Sequence, residues 1–404
     1  MGIKLLIKRI VNRLTPKKAG YIYAVPHENG TKDGYWLGNY GSDNLLTFLA
    51  YLRRVYSGSR LTVFCETRFD PAYEQKRIDR IWTNSNITIR AISSAWDTDG
   101  GFSMKRYIRS LKYRYSSSHI WTDTPSSHCE DCISSQTVFC FNYYTPFKND
   151  FSPTNCRLFD SYDLILTTGL LPAQISVASI GGRLDRYLTL GFPRNDLIAS
   201  GIRSEKAAHW LDEHSPEGTD RIIVYAPTYS EYAVNDPEML FGYDDGGELN
   251  SWLADHRAIL VYRPHPLEKY EFSGENNRIL CFPYSEEFGF YDILSCADVL
   301  VSNYSSVAND FLLTGRPVVY NMTDLDTYNA ARGLSFEPVS NICAGRIVSD
   351  WNGMASALEE ALENGVPAEL REKYSLCKSW LHAHTDGNSC ERILSFMKKS
   401  GILP

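Results

Sequence analysis

The stretch Asp298-Val299-Leu300-Val301-Ser302-Asn303-Tyr304-Ser305-Ser306-Val307 decides the fold. An apolar run breaks into Asn-Tyr-Ser-Ser, resumes with Val307, Phe311 and Leu312 at a spacing that suits a helix, and is followed by Arg316-Pro317-Val318-Val319-Tyr320 as a further strand. Ser305 and Ser306 then fall where the first N–H groups of a helix lack internal partners and the dipole end carries about half a positive charge. A phosphate fits there. Upstream, the run ending at Tyr262 leads into Arg263-Pro264-His265-Pro266, a second strand end with a planar cationic fork and a group that titrates near neutral pH. Two prolines around His265 and an arginine two residues earlier favour a working histidine over one merely held by a backbone carbonyl.

With 404 residues, 43% hydrophobic, the chain can bury a large core and form about two domains. Its formal net charge of -7 argues against a nucleic-acid partner, which calls for a basic face. No apolar run approaches the roughly 18 to 20 residues of a membrane span, and no cleavable leader is recognisable, which predicts a cytoplasmic protein. Ten scattered cysteines read as reduced thiols. His128-Cys129-Glu130-Asp131-Cys132 offers one cysteine pair where zinc sites normally draw on two, so no metal site is expected. The cleft loops show no Asp-x-Asp signature, so Arg263, His265 and helix dipoles can meet the phosphate charge alone; no cofactor is firmly implied, and a divalent metal stays an open alternative.

Working outward, short apolar runs alternate with helical ones: Tyr21 to Val25, Asn44 to Tyr56, Leu61 to Cys65, Ile87 to Ile92, His119 to Thr122, Thr137 to Phe141 and Leu164 to Thr167. A second series follows at Ile222 to Ala226, Ala258 to Tyr262, Val299 to Ser302 and Pro317 to Tyr320, with a polar boundary over Ser200 to Asp220. The alternation predicts an α/β fold of two doubly wound halves. Ligands in such sheets bind beyond the carboxyl ends of strands, so the loops after Ala226, Tyr262 and Val301 should converge on one cleft.

Residues 1–18 place Ile3, Leu6, Ile7, Ile10, Val11 and Leu14 at helical spacing among Lys4, Lys8, Arg9, Arg13, Lys17 and Lys18. A helix on an anionic membrane surface and a terminal helix packed on its own domain both explain this pattern. A second basic segment, Lys105 to Tyr115, favours the membrane. In the loop Gly38 to Asn44, Ser42 or Asp43 suits the N-cap of the following helix, the commoner explanation of such a sequence.

Taken in order, Gly191-Phe192-Pro193-Arg194-Asn195-Asp196, Tyr225-Ala226-Pro227-Thr228-Tyr229, Arg263-Pro264-His265-Pro266, Asn303-Tyr304-Ser305-Ser306-Val307 and Arg316-Pro317-Val318-Val319-Tyr320 carry a resemblance. So do Asp326-Thr327-Tyr328 with Arg332-Gly333, Ser42-Asp43-Asn44, and Tyr144-Thr145-Pro146-Phe147-Lys148-Asn149. The chain resembles the CDP-glycerol glycerophosphotransferase family, the teichoic-acid primases and polymerases of bacterial cell walls, from about Trp36 to Gly345.

The resemblance implies a GT-B architecture, two Rossmann-like domains facing a central cleft. Beyond the basic helix read over 1–18, it implies an acceptor domain over 19–200, a CDP-donor domain over 201–373, and a tail over 374–404 whose helix, Tyr374 to Met397, returns to the N-terminal domain. It implies transfer of glycerol phosphate, or a related polyol phosphate, from a CDP-linked donor to a glycan or lipid-linked acceptor with release of CMP, at the inner membrane face. His265 and Arg263 would serve the departing phosphate. Arg194, Asn195, Asp196, Thr228, Asn303, Ser305, Ser306 and Asp310 would bind the donor.

Two departures stand out. Where the family has a histidine taken as the acceptor base, this chain has Tyr143, and a tyrosine with a pKa of about 10 is a poor base at neutral pH. Asp43 and His27 are the replacements considered. Asn303 stands where an aspartate commonly precedes Tyr-Ser-Ser. A GT-B glycosyltransferase using a nucleotide-activated sugar, and a non-catalytic CDP-polyol-binding relative, are the competing readings.

Overall fold

The structure is a computed structural model that describes the chain apart from residues 1–2, 27, 30–35, 38–42, 69, 82–85, 97–99, 124–134, 143–146, 148–152, 229–246, 264–276, 283–287 and 404. Its N-terminal strands are β1 (Lys18–Val25), β2 (Glu28–Asn29), β3 (Trp36–Leu37), β4 (Leu61–Thr67), β5 (Ile87–Ser93), β6 (Ser117–Thr122), β7 (Thr137–Cys140), β8 (Leu164–Leu166) and β9 (Tyr187–Leu188). The C-terminal strands are β10 (Arg221–Ala226), β11 (Ala258–Tyr262), β12 (Ile279–Cys281), β13 (Val299–Ser302), β14 (Val318–Asn321) and β15 (Arg346–Val348). Two sheets result, seven strands in the order β5-β4-β1-β6-β7-β8-β9 and six in the order β12-β11-β10-β13-β14-β15, while β2 and β3 pair separately as an antiparallel ribbon.

Every pairing in the two large sheets is parallel. Parallel sheets need cover on both faces, which is why their strands are apolar throughout. In β10 and β11, Val224, Ala226, Ile259 and Val261 enter one core, while Ile223, Tyr225, Leu260 and Tyr262 enter another on the opposite face. In β1 and β4, Ile22, Ala24, Val63 and Cys65 divide from Tyr23 and Phe64 in the same way. Each sheet reverses its strand order once, between β1 and β6 and between β10 and β13. Those reversals open the crevices where ligands of such folds sit.

The C-terminal tail departs from a single helix. It forms Arg371–Leu381 and Ser389–Lys399, separated by Asp386-Gly387-Asn388, where Gly387 takes a positive φ of 69°. The first packs Tyr374, Cys377 and Leu381 into the C-terminal core. The second carries Cys390, Ile393, Leu394 and Met397 into the N-terminal core with Phe48 and Leu49. The tail thus returns to the N-terminal half, through a turn rather than a continuous rod.

Basic segment one forms the helix Ile3–Leu14 and segment two the helix Met104–Ser116. They pack through Val11, Leu111 and Tyr115, with Ile7, Tyr107 and Ile108 alongside. No described helix is long and apolar enough to cross a membrane. The described cysteines are free thiols; Cys129 and Cys132 lie outside the described residues.

Candidate functional site

At the crevice of the second sheet, β10 continues into Pro227 and Thr228, and β13 into Asn303 and Tyr304. The Thr228 N–H donates to Asn303 Oδ1 at 2.7 Å, and Ser302 Oγ donates to the Ala226 carbonyl at 2.7 Å, so the two loops are tied across the reversal. Asn303 accepts here through an oxygen that an aspartate would equally supply. The asparagine keeps this tie without the charge that would strengthen it. Ser305 then precedes the helix Ser306–Phe311 without bonding its own helix end, and both serines are half-buried at that opening. Tyr304 is fully buried, its ring stacked 4.1 Å from that of Tyr328, which holds the loop from below.

Arg263 follows β11 directly. Its N–H donates to the Tyr225 carbonyl at 2.9 Å, and its guanidinium lies 4.3 Å from the centre of the Phe290 ring. A guanidinium on an aromatic face is held in plane at little entropic cost. Arg263, Thr228, Asn303, Ser305 and Ser306 are thus brought to the ends of three adjacent strands. His265 lies outside the described residues, as do Tyr143 and His27.

The remaining expected donor residues sit elsewhere. Gly191 adopts a positive φ of 84°, and a Cβ there would meet Ser389 Oγ at 2.4 Å, so the turn that follows needs glycine at its head. Asp196 accepts from the N–H groups of Ser389 and Cys390, both at 2.8 Å, and so caps the returning helix. Arg194 Nη2 donates to Asp310 Oδ2 at 2.8 Å and Asn195 Nδ2 to Asp310 Oδ1 at 3.0 Å, with only 7% and 0% of the Arg194 and Asp310 side chains exposed. Burial opposes the Arg194 charge, yet Tyr291 and Asp310 beside it hold the guanidinium above its ordinary pKa. These four residues are engaged with protein partners rather than presented to the crevice.

At the other reversal, between β1 and β6, Asp43 caps the helix Asn44–Val55 by accepting from the Leu46 N–H at 2.9 Å. Asp123, just beyond β6, accepts from the Leu45 N–H at 3.0 Å and hydrogen-bonds the Asp43 side chain. Both carboxyls are buried. Burial first, and the Asp43 charge second, push the Asp123 carboxyl well above its usual range. Asp123 escaped the sequence reading because a lone aspartate at a strand end carries no signal until its partner, far away in sequence, is placed beside it.

A raised folded-state pKa makes the folded chain take up a proton between the unfolded value and the raised one, so stability falls as pH rises through that window. Asp123→Asn keeps the acceptor for Leu45 and donates to Asp43 without a proton uptake. Its advantage over the natural chain in denaturant titrations is therefore expected to grow as pH rises above about 4, the ordinary aspartate range. A constant or shrinking difference would contradict the raised Asp123 pKa.

Asp324-Leu325-Asp326 corrects one expectation, since it does have Asp-x-Asp spacing and follows β14. Asp324 Oδ1 accepts from the Tyr304 hydroxyl at 3.1 Å. Among the described residues, no three His, Cys, Asp or Glu side chains gather as a metal would require.

Two parallel-sheet Rossmann-like halves joined by a returning C-terminal helix make this a GT-B protein. Residues 146–399 match the model of the CDP-Glycerol:Poly(glycerophosphate) glycerophosphotransferase family. The chain belongs to that family. It is 25% identical over 223 residues to the teichoic acid ribitol-phosphate polymerase TarK of Staphylococcus aureus, covering 54% of this chain and 41% of TarK. It is 25% identical over 249 residues to the teichoic acid glycerol-phosphate primase of Bacillus subtilis, covering 60% of this chain and 59% of that one. The match thus spans between two fifths and three fifths of these relatives' length. The structure of the wall teichoic acid polymerase TagF superposes with a TM-score of 0.73 at 18% identity, covering 97% of this chain and 93% of that one.

Proposed function

We propose that this protein transfers glycerol phosphate, or a related polyol phosphate, from a CDP-linked donor to a cell-surface glycan or lipid-linked acceptor, releasing CMP. The observation that carries this reading is the gathering of Arg263, Thr228, Asn303, Ser305 and Ser306 at the strand reversal of the C-terminal sheet. The acceptor hydroxyl oxygen attacks the polyol-bearing phosphorus, the bond to the CMP oxygen breaks, and the hydroxyl proton passes to a base. Charge grows on the departing phosphate, where the Arg263 fork and the N–H groups after Ser305 stabilise it. His265, by family resemblance, hydrogen-bonds or protonates the leaving oxygen. Asp43 is engaged as a helix cap, and Tyr143, at the family's position for the base, and His27 are the remaining candidates.

The acceptor reading agrees with the two packed basic helices. Ile3, Leu6, Ile10 and Leu14 are 70%, 48%, 48% and 75% exposed, an apolar edge flanked by Lys4, Arg9 and Arg13. Such an edge suits the anionic inner face of a membrane, which would bring the protein to lipid-linked acceptors. Ile3→Glu/Ile10→Glu is expected to weaken sedimentation with phosphatidylglycerol vesicles by at least about tenfold, since two exposed apolar side chains that would enter the bilayer surface are lost. Equal binding to phosphatidylcholine vesicles would argue against a preference for anionic membranes, and no loss in the variant would argue against a membrane role for this helix. The activity itself is tested by CMP release from CDP-glycerol and CDP-ribitol with a lipid-linked acceptor.

A further inference from the structure

Asp310 occupies the fifth position of the helix that begins at Ser306, and its carboxylate is entirely buried. Three donors from two other elements meet it: Arg194 Nη2, Asn195 Nδ2, and the Tyr291 hydroxyl at 2.5 Å from the helix Phe290–Cys296. The Arg194 guanidinium also lies 5.1 Å from the Tyr291 ring centre and 5.4 Å from that of Phe192. From the same residue the backbone N–H donates to Asn44 Oδ1 at 3.2 Å, at the start of an N-terminal-half helix. Asn44 Nδ2 in turn donates to the Asn142 carbonyl at 2.5 Å, and Asn142 Nδ2 to the Leu166 carbonyl at 3.2 Å at the end of β8. On the neighbouring residue, His382 Nε2 donates to the Asn309 carbonyl at 2.9 Å. One chain of buried polar contacts therefore runs from the strand ends of the N-terminal half to the helix that opens at Ser305 and Ser306.

We infer that Arg194, Asn195, Tyr291 and Asp310 are positioning residues, which fix the Ser305-Ser306 turn relative to the acceptor half and do not touch the donor. The inference rests on the proposed phosphotransfer for its meaning. Groups that satisfy one another out of solvent hold a fixed geometry. For a reaction that depends on alignment, a displacement of about 1 Å at the reacting groups costs about 100-fold in rate.

The test uses the full chain with Tyr291→Phe, which keeps the ring and removes one hydroxyl, and Arg194→Lys. Calorimetric affinity for CDP-glycerol, the rate of CMP release, and amide hydrogen exchange at 305–308 are measured together. Positioning predicts donor affinity within about threefold of the natural chain, a maximal rate lowered about 10- to 100-fold, and exchange at 305–308 raised at least about tenfold with 222–226 unchanged. Donor affinity weakened more than about tenfold, with the maximal rate at saturation preserved, marks direct donor contact and overturns the inference. If Arg194→Lys fails to fold, Tyr291→Phe decides. If the natural chain neither binds CDP-glycerol nor releases CMP, the phosphotransfer reading fails, and exchange alone judges the positioning: unaltered exchange at 305–308 in Tyr291→Phe overturns it, raised exchange supports it.

Discussion

Arg263→Ala is expected to lower kcat/KM for CMP release from the CDP-linked donor by about 100- to 1,000-fold, the usual cost of deleting one preorganised group aimed at developing charge. Arg263 leaves β11 with its backbone fixed to Tyr225 and its guanidinium laid on Phe290, so the cation is placed before substrate arrives. Its side chain lies on the edge of the core, against Phe290. The melting temperature should stay within a few degrees of the natural value, which separates lost chemistry from lost fold. Arg263→Lys restores charge without the planar fork and should recover only part of the rate. His265→Ala, two residues on, is expected to fall in the same range. Initial rates with saturating acceptor measure all three, and less than about a threefold fall in Arg263→Ala would remove Arg263 from the leaving-phosphate side of the reaction.

The largest structural effect is expected from Asp310→Ala, at about 3–5 kcal/mol of lost stability, because deleting one partner of a buried pair strands the other charge. Here the stranded group is the Arg194 guanidinium, 7% exposed, which loses its closest anion and keeps the Tyr291 and Phe192 rings beside it. Asp310→Asn keeps the shape and one acceptor, so its loss should be smaller. The double variant Arg194→Met/Asp310→Leu removes both charges and should regain much of the loss, leaving the Tyr291 hydroxyl and Asn195 amide to account for the remainder. Urea unfolding followed by circular dichroism measures the series. A double variant no more stable than Asp310→Ala would contradict the stranded-charge account.

Much of the fold is legible in the sequence because buried parallel strands are nearly continuous apolar runs. The long central strands stand out for that reason. The strands Tyr187–Leu188, Ile279–Cys281 and Arg346–Val348 do not, since all three are sheet edges of two or three residues and carry no period. The break in the C-terminal tail is written in Asp386-Gly387-Asn388, a turn signal that the helical pattern on either side obscures. For the site, Arg263, Thr228, Asn303, Ser305 and Ser306 are found by reading past each strand end. Arg194, Asn195, Asp196 and Asp310 are equally visible as a motif, but a motif does not say whether a polar group faces ligand or protein. Tyr291 and Asp123 give no local sign, because each matters through a partner that only folding brings near.

The account depends on the crevice between β10 and β13 being a CDP-donor site. Its most direct test is acceptor-dependent CMP release across a panel of CDP-glycerol, CDP-ribitol and UDP-sugars, with products identified by mass spectrometry. The account predicts CMP release with a CDP-polyol and an acceptor heavier by one or more polyol phosphate units. Turnover of a UDP-sugar, with no CMP from any CDP-polyol, would contradict it.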